Sequence, residues 1–373
     1  MPVFVPPSLL VTLLESPEPS LRWRTWVEAL RQDPQAPQAQ ADWSAIPAAS
    51  RTQALLAERD KEGEIPLHPY KKWQGAHWVL GLLAEMGYPH GDLSLVPLWK
   101  QECAWLLSAD HQRGIQTVDG RTRRCASQEG FALFSSLRLG LADQNSEELA
   151  ERLLGWQWPD GGWNCDKRPQ AHHSSFMETL LPMRGLARFA DASGDPRVRK
   201  AVERAAEVFL KRGLFRRESD GSVIDLSFLK LHWPVYWHYD ILAGLKTMAE
   251  SGFLGDPRCN EALDQLEGKQ LADGGFPADG KFYQVTERGI SGRSRVDWEP
   301  SGGKKTNPWV TVDALAVLHL AGRWKPPHSW LIPGSRIEES ASPLPGGSNG
   351  ETSQGAQIKE KSNFQIPPRG GKG

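Results

Sequence analysis

Histidine, tryptophan and arginine recur in this chain just ahead of, or at the start of, its most apolar segments. His77-Trp78 opens one such segment, and Arg121 and Arg124 stand before Phe131-Ala132-Leu133-Phe134. His172 and His173 precede a third; His232, Trp233, Tyr236 and Trp237 precede Ile241-Leu242-Ala243; Trp309 opens the last. Aromatic faces attract cations and apolar surface, and basic side chains at helix starts favour anions. Together they suit a ligand with an apolar body and an anionic head. Asp240 and Asp313 lie at similar places in two of these segments, and Glu178 in a third. A desolvated carboxylate there has a raised pKa and can act as a general acid. It can equally cap or hydrogen-bond a neighbouring helix, because buried acids need partners. Cys165, Asp166 and His173 have ligand types acceptable to zinc, and His173 doubles as a catalytic candidate.

Helices must position these residues. Apolar periodicity predicts helices over 20–31 and 50–59. Pairs follow at 73–86 with 95–107, 128–141 with 146–156, 174–189 with 196–211 and 235–250 with 257–271, then a single helix at 308–320. The first member of each pair is apolar nearly all round and belongs inside; the second has a charged face and belongs outside. Two second members open on Asp-Pro, at Asp195-Pro196 and Asp256-Pro257, with Asp placed to cap and Pro at the first helical position. Inner and outer helices in alternation give an all-α fold, an α/α toroid of about six helix hairpins in two concentric rings. The segment 9–14 is expected to close the outer ring. Residues 1–70 read as an N-terminal repeat packing on the toroid and 71–330 as the toroid itself. The Pro/Gly/Ser-rich 331–373 reads as a disordered tail.

One turn occurs twice. Gln157-Trp158-Pro159-Asp160-Gly161-Gly162-Trp163 returns as Gln270-Leu271-Ala272-Asp273-Gly274-Gly275-Phe276, as expected of a repeat architecture. Gly161 and Gly274 permit a sharp reversal, while Gln and Asp can satisfy backbone groups at helix ends. Trp163 and Phe276 then cover the joint. This turn between helix pairs resembles the QW motif of squalene–hopene cyclases and the repeats of protein prenyltransferase β subunits. The resemblance covers roughly residues 20–322 and implies an α/α toroid around a central cavity, with an isoprenoid or other apolar ligand. The chain departs from both chemistries: it has no Asp-x-Asp-Asp acid run and no Asp-x-Cys zinc pair. Asn164-Cys165-Asp166-Lys167-Arg168-Pro169 followed by His172-His173 is similar to the prenyltransferase segment leading to a ligand histidine.

A formal net charge of -1 gives no global basic field for nucleic acid. Four scattered cysteines without a CxxC pair fit a reducing compartment, and no apolar run has the roughly 18 residues of a membrane span. A cytoplasmic protein is the expectation. Three functions stay open: a terpene-cyclase- or prenyltransferase-like protein, catalytic or not, with a Trp/His-lined cavity; a non-catalytic toroid that binds a protein partner; or an α/α-barrel carbohydrate enzyme. The first requires free volume between Trp78, Trp237 and Trp309.

Overall fold

The computed structural model describes residues 3–286 and 288–327; the expected tail at 331–373 lies outside the described residues. The helices follow the chain as α1 (Pro7–Leu14), α2 (Pro19–Arg24), α3 (Pro37–Ala45), α4 (Ser50–Leu56), α5 (Ala76–Glu85), α6 (Val96–Leu106) and α7 (Ala109–Arg113). Then come α8 (Ser127–Leu139), α9 (Gln144–Trp156), α10 (Phe176–Ser193), α11 (Pro196–Leu210), α12 (Ile241–Ser251), α13 (Asn260–Glu267) and α14 (Pro308–Leu320). A wider π-type turn, Thr25–Ala29, prolongs α2.

The helices expected inside are inside. In α5 every residue is buried, whereas α11 and α13 bury one face only. Packing runs from α5 to α8, α10, α12 and α14, and α14 packs on α2 and its π turn. The Ser20 hydroxyl donates to the Met86 carbonyl at the end of α5, which closes the inner ring. Outside, α6, α9, α11 and α13 each pack on their own hairpin partner or its neighbour. The N-terminal segment reaches the second Gln-to-Phe turn, where the Gln270 side chain donates to the Phe4 carbonyl at 2.9 Å. Helix α1 itself packs on α2 and its π turn.

The repeated turn works as a clamp. Gln157 Nε2 donates to the Gly161 carbonyl at 2.7 Å and to that of Ala201, on α11, at 2.8 Å. Gln270 does the same to Gly274 at 2.9 Å, besides Phe4. Asp160 accepts from Ser174 N and Oγ at 2.7 and 2.6 Å, and Asp273 accepts from the Thr306 hydroxyl at 2.7 Å. The backbone N–H groups of Trp163 and Phe276 donate to the hydroxyls of Thr179 and Thr311, in the first turns of α10 and α14. Each turn thus ties one outer helix end to the next inner helix start. Gly161 and Gly274 sit at φ 106° and 85°, where a side chain is strained.

Three differences from the expected elements have physical reasons. α12 starts at Ile241 rather than 235, because Pro234 and a left-handed Tyr236 (φ 51°) keep 231–240 out of the helix. Asp240 caps it instead, accepting the Ala243 N–H at 2.8 Å. The helix expected over 257–271 opens with a 3₁₀ turn, Pro257–Cys259, and ends at Glu267. Helix α3 and the antiparallel hairpin β1 (Gln116–Val118)–β2 (Arg121–Arg123) were not legible as periodic segments. A second short pair, β3 (Gln284–Val285) with β4 (Arg293–Ser294), is parallel.

The inside of the ring is filled in two layers. In one, Glu85, Arg184, Lys246, Glu250, Asp313 and Arg24 meet from five inner helices. Arg24–Asp313 is 2.5 Å, Lys246–Asp313 2.8 Å, Lys246–Glu85 3.1 Å and Arg184–Glu250 2.6 Å; Arg184 also pairs with Glu85. Above it Trp233 receives Arg24 and Lys246 on its face, at 5.1 and 5.6 Å. Trp233 in turn stacks on Trp309 at 5.3 Å.

Candidate functional site at the rim of the ring

The starts of the inner helices share one rim, and its chemistry falls into two neighbourhoods. The first is built where β2 runs beside Asn164, with the Arg124 N–H donating to the Asn164 carbonyl at 3.3 Å. That pairing places Cys125 and Cys165 next to each other. Glu178, in the first turn of α10, joins them, with Cys165 Sγ 3.4 Å from Glu178 Oε1. The other oxygen of Glu178 accepts the Ser127 N–H at 3.1 Å, so the carboxylate also ties α8 to α10. Hydrogen bonding to Cys165 and burial push the Cys125 thiol well above the usual range. Burial raises Glu178 as well.

Beside this cluster Arg124 reaches Glu129 at 3.0 Å and Gln128 at 2.7 Å, and His111 lies 3.1 Å from the same Glu129 oxygen. Burial and the adjacent Arg124 hold the His111 imidazole down at about 3, so it is neutral near pH 7. His77 is fully buried, 2.6 Å from Glu102. Its ring and that of Trp78 pack on Tyr70 at 5.3 and 4.9 Å.

The second neighbourhood is aromatic. Trp73 stacks on Tyr236 at 3.7 Å, and His238 is sandwiched between Trp237 at 4.0 Å and Phe282 at 3.4 Å. Beneath, His232 Nδ1 lies 2.7 Å from Asp240. Burial opposes the imidazolium of His232, but the charge and hydrogen bond of Asp240 outweigh it, and the pKa is raised. His238, buried and facing His232, is lowered to about 3.

The expected residues therefore divide. Of the residues expected to bind a ligand, His77, Trp78, Trp233, Tyr236, Trp237 and Trp309 pack against other rings, His232 pairs with Asp240, and Arg124 with Glu129. Arg121 lies over the Trp158 ring at 5.9 Å. His172 and His173 are exposed. Asp166 pairs with Arg168 at 2.6 Å, so the zinc set expected from the sequence, Cys165 with Asp166 and His173, is not the one the fold assembles. Asp240 is a helix cap and the partner of His232, and Asp313 is the counter-ion of two cations rather than an acid facing open space. Among the described residues, one shallow depression, about 410 Å³, lies between Leu56 and Pro97. A second, of about 10 Å³, touches Trp73 and Arg295. Sequence reasoning missed Cys125 and Glu129 as partners, and the axial ions Glu85, Arg184, Lys246 and Glu250.

No family model and no curated protein matches the chain. Among solved structures it is similar to a UGL variant recorded with dGlcA-Glc-Rha-Glc, at 14% identity over 74% of this chain and 96% of that one, with a TM-score of 0.34. A wild-type glycosidase gives the same identity and coverage and a TM-score of 0.31. A type II terpene cyclase from Scytonema, in its apo form, again gives 14%, 74% and 96%, with a TM-score of 0.27. All three scores lie below 0.5, and none of these likenesses bears on what this chain binds.

Proposed function

We propose that this chain is a non-catalytic helical scaffold of toroid type that recognises a protein partner at its rim. The observation that carries this reading is the filled interior. Three cations and three carboxylates meet across the ring under a layer of stacked tryptophans. A buried, mutually paired ion network is costly to open, because separating it leaves uncompensated charges. The rim, in contrast, exposes apolar side chains close together in sequence: Phe282 is 43% exposed, Val285 51% and Ile290 36%. Lys281 and Arg288 lie close to them in sequence, and Arg295 nearby is paired with Glu58. Exposed apolar side chains in a charged setting suit a protein contact. The partner's surface would be apolar with an acidic border.

A second reading keeps the isoprenoid or other apolar ligand. One observation favours it: the indole N–H groups of Trp233, Trp237 and Trp309 are buried and have no hydrogen-bond partner among the described residues. Such donors cost about 1–3 kcal/mol each when left unmet, and ligand oxygens would satisfy them. Entry requires Phe282 to leave its stack on His238.

Native mass spectrometry with geranylgeranyl diphosphate separates the two readings. The scaffold reading expects only the free chain at micromolar ligand. A stoichiometric complex that Trp237→Ala weakens would overturn it in favour of the second.

A further inference from the structure

Two thiols and a carboxylate from three separate segments come together on the rim. Cys125 follows β2, Cys165 follows the first repeated turn, and Glu178 lies in the first turn of α10. One donor atom from each lies within 4.8 Å of the other two. A tetrahedral zinc with bonds of about 2.3 Å to sulfur and 2.0–2.2 Å to oxygen holds its donors about 3.5–3.8 Å apart. The 3.4 Å from Cys165 Sγ to Glu178 Oε1 is already at that separation. Small movements of the three side chains complete the rest.

We propose that Cys125, Cys165 and Glu178 form a binding site for a thiophilic divalent cation, zinc in the first instance. The surroundings fit a site. The second oxygen of Glu178 is anchored by the Ser127 N–H at 3.1 Å, which fixes the carboxylate from behind. The Cys165 loop is held by Asn164, whose Nδ2 donates to the His173 carbonyl at 2.8 Å. All three residues are half-buried. Two thiolates match the softness of zinc, and three protein ligands leave a fourth position for water or a partner's side chain. Tyr70 and Arg124 also interact electrostatically with the cluster. The ion would join β2, the 164–173 loop and α10, and so brace the rim.

The test uses the full-length chain, reduced and stripped with a chelator, then mixed with zinc or cobalt(II). Native mass spectrometry is expected to show one zinc per chain, and cobalt(II) a thiolate-to-metal charge-transfer band. Because both thiols bind as thiolates, zinc affinity falls as the pH is lowered. Cys165→Ser and Glu178→Gln each weaken zinc by about 100-fold or more, whereas Asp166→Asn and His173→Ala leave it unchanged. The cobalt band of the unaltered chain stands even if a variant misfolds. A reduced chain that takes up no zinc, or a cobalt spectrum without the thiolate band, overturns the site. So does zinc affinity retained in a folded Cys125→Ser/Cys165→Ser variant.

Discussion

His232 and Asp240 show how one buried pair ties the rim together. The aspartate accepts the backbone N–H groups of His232 and Ala243 while its charge holds the imidazole. The folded pKa of His232 lies above its unfolded value of about 6.5. Its stabilising contribution is therefore complete below about pH 6.5 and is lost as the pH rises through the raised value. Urea unfolding of the native chain and His232→Asn should show the largest gap near pH 5.5 and a smaller one near pH 9. An unchanging gap would mean that the charge does not matter. His238 behaves in the opposite sense. It is held at about 3, so it stays neutral in the fold while the unfolded chain protonates below about pH 6.5. Acid unfolding should be blunted in His238→Phe, measured as a shallower fall in stability between about pH 6.5 and 4. At this scale the sequence put His232 ahead of an apolar inner helix and Asp240 within it, but did not show that the two pair. Glu178 and Asp240 were recognisable as caps or acids, while Cys125 and Cys165 are joined only by the pairing of β2 with Asn164, which no periodicity announces.

Among the elements, the inner and outer helices were legible because burial all round and burial on one face leave different patterns. The helix at Pro308–Leu320 and the outer α9 and α11 fall within about two residues of expectation. The repeated turn was legible as a clamp because its residue types are the ones that satisfy helix ends. It should carry measurable stability. Gln157→Ala removes two hydrogen bonds to buried carbonyls and is expected to cost about 1–3 kcal/mol in chemical denaturation. Gly161→Ala, at φ 106° and with its new Cβ against the Arg204 carbonyl, should cost at least as much. A loss below about 0.5 kcal/mol in both would reduce the turn to a passive linker. What failed was the start of α12. Apolar and aromatic residues over 235–240 fit a helical stripe, yet Pro234 and the left-handed Tyr236 override that pattern.

At the scale of the molecule, the ring of helices was readable and its contents were not. Glu85, Arg184, Lys246 and Glu250 each look, in sequence, like ordinary charges on a helix surface. Only the ring brings them face to face. The one visible hint was Glu85, an acid closing a run of otherwise buried apolar residues. The charges of Arg184 and Lys246 outweigh burial and hold Glu85 well below the usual carboxylate range. Lys246→Met removes the cation shared by Glu85 and Asp313, which keep Arg184 and Arg24, and should cost about 1–3 kcal/mol, read from urea unfolding. A neutral result would mean that water reaches the ring axis. No described helix is long and apolar enough to cross a membrane.

The claim on which the account turns is that the ring is solid inside. Crystals of the chain pressurised with xenon test it directly, because xenon occupies dry apolar cavities. The prediction is no xenon within the ring of α2, α5, α8, α10, α12 and α14. Xenon bound among Trp78, Trp233 and Trp309 would contradict it, and would return the isoprenoid reading to first place.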